Sequence, residues 1–289
     1  MMEKTEMNNT ELVKCAQLDM LIELKRICEK NKIPYFLVGG TLIGAIRHNG
    51  FIPWDDDIDV GMLRKDYEKF IEVCATELNE EYVLHDWHID PNSPLPFLKM
   101  KIKGTHYRER LSQNSEMSDE IFIDIFPFEN APNTAYQRAM HSVFREPLKK
   151  ILLLRCGFEI DRDGGLMKKC AYKLLRFISK VKSLESWKDC FARMAQRYND
   201  KETDYVVGFS GAYSYKKECK PREMMQRLGL HTFEGVEVNV PQDYDEYLRQ
   251  IYGDYMKLPP ESEQQGRHGI LYVDMGRYVV KSKMVEGRK

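Results

Sequence analysis

Four aspartates fall within five residues, Asp55, Asp56, Asp57 and Asp59, inside the stretch FIPWDDDIDVGM. Phe51, Ile52, Trp54, Ile58 and Val60 draw the same stretch into an apolar core, so the fold must tolerate several carboxylates packed close together. In an extended segment side chains alternate, which puts Asp55, Asp57 and Asp59 on one face and Asp56 with Ile58 on the other. Like charges that close raise one another's pKa unless something positive lies among them. A hard divalent cation with oxygen ligands, Mg2+ or Mn2+, meets that need most simply. A solvated acidic turn is the plainer reading, and it fits the apolar neighbours badly. An EF-hand calcium loop fails twice: it needs glycine where Val60 stands and glutamate where Asp66 stands.

The segments around this cluster alternate between helix and strand. Residues 10–30 carry apolar side chains at helical period, with Glu and Lys expected on the opposite side, and Pro34 stops the run. Residues 35–38 read as a short buried strand ending in Gly39-Gly40, with a short helix at 41–48. Strands are expected at 58–63, 82–87, 97–102 and 121–126, and an amphipathic helix at 66–78. This is the pattern of an α/β or α+β sheet domain. From about 134 the pattern becomes helical and basic: residues 145–197 hold 14 Lys or Arg against 6 Asp or Glu, a local +8 in a chain of net charge −1. Short strands at 206–208 and 236–240, a helix at 244–252 and a polar tail follow. The expected organisation is a catalytic core at 10–133, a basic helical insertion at 134–200, and a C-terminal cover at 201–289 that completes the same domain.

Gly39-Gly40-Thr41 joins a strand to a helix, where glycines admit a close ligand and a helix N-terminus suits phosphate. Thr41 is a candidate both for the N-cap and for a phosphate contact. No GK[ST] follows, so this is not a P-loop. A phosphate-type turn just before paired carboxylates suggests phosphoryl or nucleotidyl transfer. Asp124, inside the apolar IFIDIFP, is costly to bury alone. It is expected either to be satisfied by an arginine or backbone amides, or to serve as a third metal ligand or a base.

Lys and Arg number 44 against 45 Asp and Glu, which disfavours nucleic acid as partner. No apolar run reaches the length of a membrane span, and the first residues, MMEKTEMNNTELVK, lack the apolar stretch of a secretion signal. Seven cysteines stand singly with no CxxC pair, the usage of a reduced protein. The expected location is cytoplasmic. The helix at 166–184 interleaves Lys168, Lys169, Lys173, Arg176, Lys180 and Lys182 with apolar positions. It reads either as a packed amphipathic helix with solvated lysines or as a docking face for an anionic membrane or polyanionic glycan.

GGTLIGAIRHNGFIPWDDDIDVGM and FIDIFPFENAP together resemble the LicD family, with fukutin-type ribitol-phosphate transferases more distantly similar. The resemblance is strong over 33–64 and 97–130 and returns at DEYLRQIYGDYMKLPP. It implies a mixed-sheet, nucleotidyltransferase-like core that moves a phospho-alcohol, such as phosphocholine, from a CDP-activated donor to a cell-surface glycan or lipid-linked glycan, releasing CMP. Carried over by position, Gly40 and Thr41 match the donor-phosphate turn. Asp57 and Asp59 match the metal-binding pair, with Asp55 as an additional acid, and Asp124 matches the later carboxylate. Arg47, in GAIRH, could balance a phosphate or pair with Asp55 or Asp56. Lys99 and Lys101, two apart on one strand, are donor-phosphate candidates, or else a solvated strand face. Trp54 is either a pocket wall or core. His48 and His268 are given no role. The alternatives kept open are nucleotidyl transfer with pyrophosphate release, and a silent nucleotide- or glycan-binding module.

Overall fold

The computed structural model describes residues 9–110, 112–158, 166–264, 266 and 269–284. Helix α1 (Asn9–Asn31) is buried on all sides from Val13 to Leu21, and Leu24, Ile27 and Cys28 continue the buried face. It ends where Lys32 takes a left-handed conformation, φ +53°, and the Ile33 amide donates back to the Cys28 carbonyl at 2.9 Å. That is a Schellman closure with lysine in glycine's usual place. Strand β1 (Phe36–Leu37) then runs directly into α2 (Gly39–Ile43), which continues as a π-helical turn over Gly44–His48. The helix therefore begins two residues earlier than the sequence suggested. Val38, not Thr41, is its N-cap residue.

The sheet is mixed, as the resemblance implied. Strands β2 (Asp59–Leu63), β3 (Tyr82–His85), β4 (Leu98–Ile102) and β6 (Phe122–Ala131) join β1 in the order β1-β2-β6-β4-β3. The β2–β6 pair is parallel, and its neighbours in the sheet are antiparallel. Helix α3 (Arg64–Glu77) follows β2 and buries Tyr67, Phe70 and Cys74. Helices α1 and α3, with the sheet, enclose the larger apolar core. Strand β5 (His106–Glu109) stands outside this sheet.

Next come α4 (Ala135–Ser142), α5 (Arg145–Arg155), α6 (Leu166–Ser179) and α7 (Leu184–Ala195). With β7 (Tyr205–Val207), which pairs with the end of β6, they hold a second apolar cluster of Trp87, Leu148, Leu152, Phe191, Phe209 and Tyr215. The chain then forms α8 (Tyr215–Glu218), β8 (Cys219–Pro221) and α9 (Arg222–Gln226). A hairpin of β9 (Leu228–Phe233) and β10 (Val236–Pro241) turns through Glu234 and Gly235, both at positive φ, as a two-residue turn requires. Last come α10 (Tyr244–Tyr252) and β11 (Ile270–Asp274), the latter pairing with β5. The segment read as a polar tail thus contains a strand. Beyond it, Tyr278 Oη and the Lys281 amide both donate to Asp19 Oδ2, at 2.9 and 2.8 Å, strapping the end of the chain onto α1. Among the described residues no helix is long and apolar enough to cross a membrane.

A second difference lies on α1. Lys14, on the side expected to face water, is buried, and so is Gln17. The Lys14 ammonium donates to the carbonyls of Ile52 and Pro53 at 3.3 and 3.0 Å, and Gln17 Nε2 donates to that of Asp56 at 3.0 Å. Long side chains at core-facing positions pack by their stems and spend their polar ends on the acidic loop.

His141 is buried among Tyr198, Phe209 and Tyr215. Nε2 lies 2.7 Å from the Met194 carbonyl, which only accepts, so Nε2 carries the proton and Nδ1 accepts from Tyr215 Oη at 2.7 Å. Burial lowers its pKa, as it does for His85. A histidine held neutral when folded gives its full stability above the unfolded value of about 6.5 and loses it as pH falls through that value. The urea midpoint is therefore expected to drop between pH 7.5 and 5.5, and less steeply in His141→Gln.

Candidate active site

A cavity of about 670 Å3 opens where β1 meets α2. Val38, Gly39 and Gly40 form one wall, and Asp55, Asp57 and Asp59 with Trp54 face them. Asp124, Phe126 and Phe128 of β6 make the floor. The remaining wall comes from the loop Gly208–Tyr213 and from Glu218, Tyr247, Tyr252, Asp254, Tyr255 and Glu263.

Register explains why two distant acids meet. On the parallel β2–β6 pair, Asp59 lies opposite Asp124, and the Asp124 amide donates to the Ile58 carbonyl at 2.9 Å. Residues opposite one another on adjacent strands present their side chains to the same face. On the other side of β6, Lys99 of β4 is in register with Asp124 as well. Its ammonium sits 2.6 Å from Asp124 Oδ1, both groups buried, and 3.1 Å from the centre of the Phe122 ring. Burial pushes the Asp124 carboxyl up and the Asp57 charge adds to this, while Lys99 pulls it back down. Asp124 is thus satisfied by a lysine, where an arginine or backbone amides had been expected.

The other predicted residues divide by position. Thr41 is buried behind the wall, where Oγ1 accepts the Asp59 amide proton at 2.8 Å. It fixes the acidic strand to the glycine turn and is not among the lining residues. Arg47 does line the cavity, but its guanidinium donates to the Tyr255 carbonyl at 2.5 Å and to His48 Nε2 at 2.9 Å. Burial alone lowers its pKa. Lys101 is turned away from the cavity to Ser118, donating to its carbonyl at 2.6 Å and its hydroxyl at 2.9 Å. Burial, with Lys99 nearby, brings its ammonium down to about 8. Lys99 and Lys101 are therefore neither a solvated strand face nor part of the cavity lining. Trp54 is half-buried and forms part of the wall. His268 lies outside the described residues.

The acidic loop also departs from simple alternation, because strand geometry begins only at Asp59. Asp56 is buried, yet its carboxylate joins those of Asp55 and Asp57, one oxygen from each lying within 4.8 Å of the others. Three hard oxygen donors at that spacing suit a divalent cation bound at roughly 2.0–2.6 Å.

The twin glycines are required by proximity. A Cβ on Gly40 would stand 2.4 Å from an Asp55 carboxylate oxygen, and one on Gly39, at φ +61°, 2.6 Å from an Asp59 oxygen. A side chain at either position would push the acids out of place. Gly40→Ala is expected to lower turnover on the order of a hundredfold, the cost of misplacing a reacting group by about 1 Å, with little change in melting temperature. Steady-state kinetics beside a thermal melt check this.

Sequence reasoning missed Glu218. It sits 94 positions beyond Asp124, buried at the cavity wall, and Oε1 accepts the Tyr213 amide at 2.9 Å. It fills the space above Gly211, where any Cβ would collide with it at 2.3 Å. Arg145, fully buried, donates to the carbonyls of Phe209, Tyr213 and Gly211 at 2.7, 2.6 and 2.5 Å and so holds the same loop. No local pattern marks either residue.

A turn of twin glycines thus faces paired carboxylates across one cavity beside a mixed sheet. Residues 32–152 match the family profile described as LicD/FKTN/FKRP, nucleotidyltransferase domain. The chain is 32% identical over 276 residues to the lipopolysaccharide cholinephosphotransferase LicD of Haemophilus influenzae, covering 92% of this chain and 97% of that one. It belongs to the LicD family. An uncharacterized protein of Rickettsia prowazekii is 43% identical over 85 residues, 23% of this chain and 32% of that one. The ribitol 5-phosphate transferase FKRP of Mus musculus is 28% identical over 103 residues, 35% of this chain and 18% of that one.

Proposed function

We propose that the protein transfers phosphocholine from CDP-choline to a hydroxyl of a cell-surface glycan or its lipid-linked precursor, at the cytoplasmic face, with release of CMP. The observation that carries this reading is the in-register pair Asp59 and Asp124 facing Gly39-Gly40 across one cavity. The nearly full-length likeness to a cholinephosphotransferase supports phosphocholine as the group carried. So does the wall of Trp54, Tyr213, Tyr252 and Tyr255, since aromatic faces with nearby carboxylates suit a quaternary ammonium.

In this reading Asp55, Asp57 and Asp59 would hold Mg2+ or Mn2+, with the Asp56 carboxylate grouped with those of Asp55 and Asp57 and Asp124 beside them. Bound there, the cation neutralises the donor diphosphate and the charge on departing CMP. Gly39 and Gly40 let the diphosphate approach the backbone, and Arg47 supplies a cation at the edge. The acceptor oxygen bonds to the phosphorus that carries choline, and the bond from that phosphorus to the bridging oxygen breaks. Asp124 Oδ2, the oxygen not engaged by Lys99, takes the hydroxyl proton or completes the metal site. Lys99 and Lys101 act as supports of Asp124 and the loop before it.

Product analysis tests this. Incubation with CDP-choline, Mg2+ and a sugar acceptor is expected to yield CMP and a phosphocholine ester. Pyrophosphate release from CTP with nucleotide left on the acceptor would overturn it.

A further inference from the structure

The apolar side chains of helix α6 form one broad face. Toward one edge of it Leu175 and Ile178 are half-buried. Toward the other, Leu174 and Phe177 are 60% and 72% exposed, and Val181 just beyond the helix is 71% exposed. Leaving such side chains in water is unfavourable, so a stripe of three needs an explanation. Exposed Lys173, Arg176 and Lys180 interleave with it.

We infer that this face docks peripherally on an anionic phospholipid bilayer. Charge complementarity selects that occupant: Lys173, Arg176, Lys180 and Lys182 all stand exposed around the apolar stripe, in a chain of net −1. Apolar side chains alternating with long basic ones suit an interface where the former enter the acyl boundary and the latter reach back to phosphates. Phe144, 54% exposed, lines a groove with Trp187. The Trp187 indole donates to the Ser179 carbonyl at 2.9 Å, which puts that groove at the C-terminal end of α6. Arg145, the residue after Phe144, holds the loop that walls the cavity. The inference holds whatever group the cavity transfers.

Co-sedimentation of the full chain with phosphatidylcholine vesicles, with and without phosphatidylglycerol, is the test. Binding is expected only to the anionic vesicles, weakening with salt. Reversing Lys173, Arg176 and Lys180 to Glu is expected to weaken it on the order of a hundredfold. Leu174→Ser with Phe177→Ser is expected to weaken it tenfold or more, by about two buried apolar side chains, with the melting temperature unchanged. Three results would overturn the inference: no retention of the wild type, a serine variant that binds as the wild type does (attraction by charge alone, as a polyanionic glycan would give), or a wild-type dimer that the serine variant dissociates.

Discussion

Asp59→Ala and Asp57→Ala are each expected to lose turnover by roughly three orders of magnitude or more while melting within a few degrees of the wild type, as when a catalytic electrostatic partner is removed. The reason is the same for both halves of the result. Both side chains line one crowded acidic cavity, and in the proposed reading their charges serve a ligand rather than the fold. Removing one relieves repulsion among those that remain. What holds the loop is elsewhere: Lys14 and Gln17 grip its carbonyls, and Thr41 accepts the Asp59 amide, contacts that an alanine at 57 or 59 leaves in place. Turnover of CDP-choline at saturating Mg2+, measured beside a thermal melt, separates the two effects. A variant that unfolds would assign these acids to the core.

Lys99→Met is expected to do the opposite and destabilise strongly, by about 3–5 kcal/mol, because it strands a buried carboxylate. Asp124 is covered on the strand side, its Oδ1 is 2.6 Å from the lysine, and no other described cation is in ion-pair contact with it. At roughly 2–4 °C per kcal/mol for a chain of this order, the melting temperature should fall by about 6–20 °C. Adding Asp124→Asn is expected to recover much of that loss, since a neutral amide does not need the ammonium, while activity stays low. Equal melting temperatures for Lys99→Met and the wild type would mean that the pair contributes nothing.

Local chemistry carried much of this protein. The alternation of strands and helices is a matter of periodicity, and the acids, the twin glycines and Asp124 are legible because each violates a local rule. Carboxylates do not enter apolar runs, and two glycines do not open a helix, without a reason. What was not legible depends on register and distance. Whether Lys99 faces a ligand or Asp124 is fixed by how β4 pairs with β6, and nothing within either strand states that register. Lys14 and Gln17 occupy core-facing positions of α1, but a long polar side chain there reads as solvent-facing until the loop it grips is known. Glu218 and Arg145 reach the cavity through a loop at 208–213, and the β5–β11 ladder joins segments more than 160 residues apart. The start of α2 at Gly39 was misplaced because Thr41 is a good N-cap, and its hydroxyl is spent on Asp59 instead.

Equilibrium binding of CDP-choline, followed by calorimetry with Mg2+ and again in chelator, bears most directly on why these carboxylates are gathered. Nucleotide affinity should rise by at least tenfold with the metal, and Asp57→Asn should lose that increment while keeping the weak metal-free binding. Equal affinity with and without metal, or an increment that survives in Asp57→Asn, would contradict it.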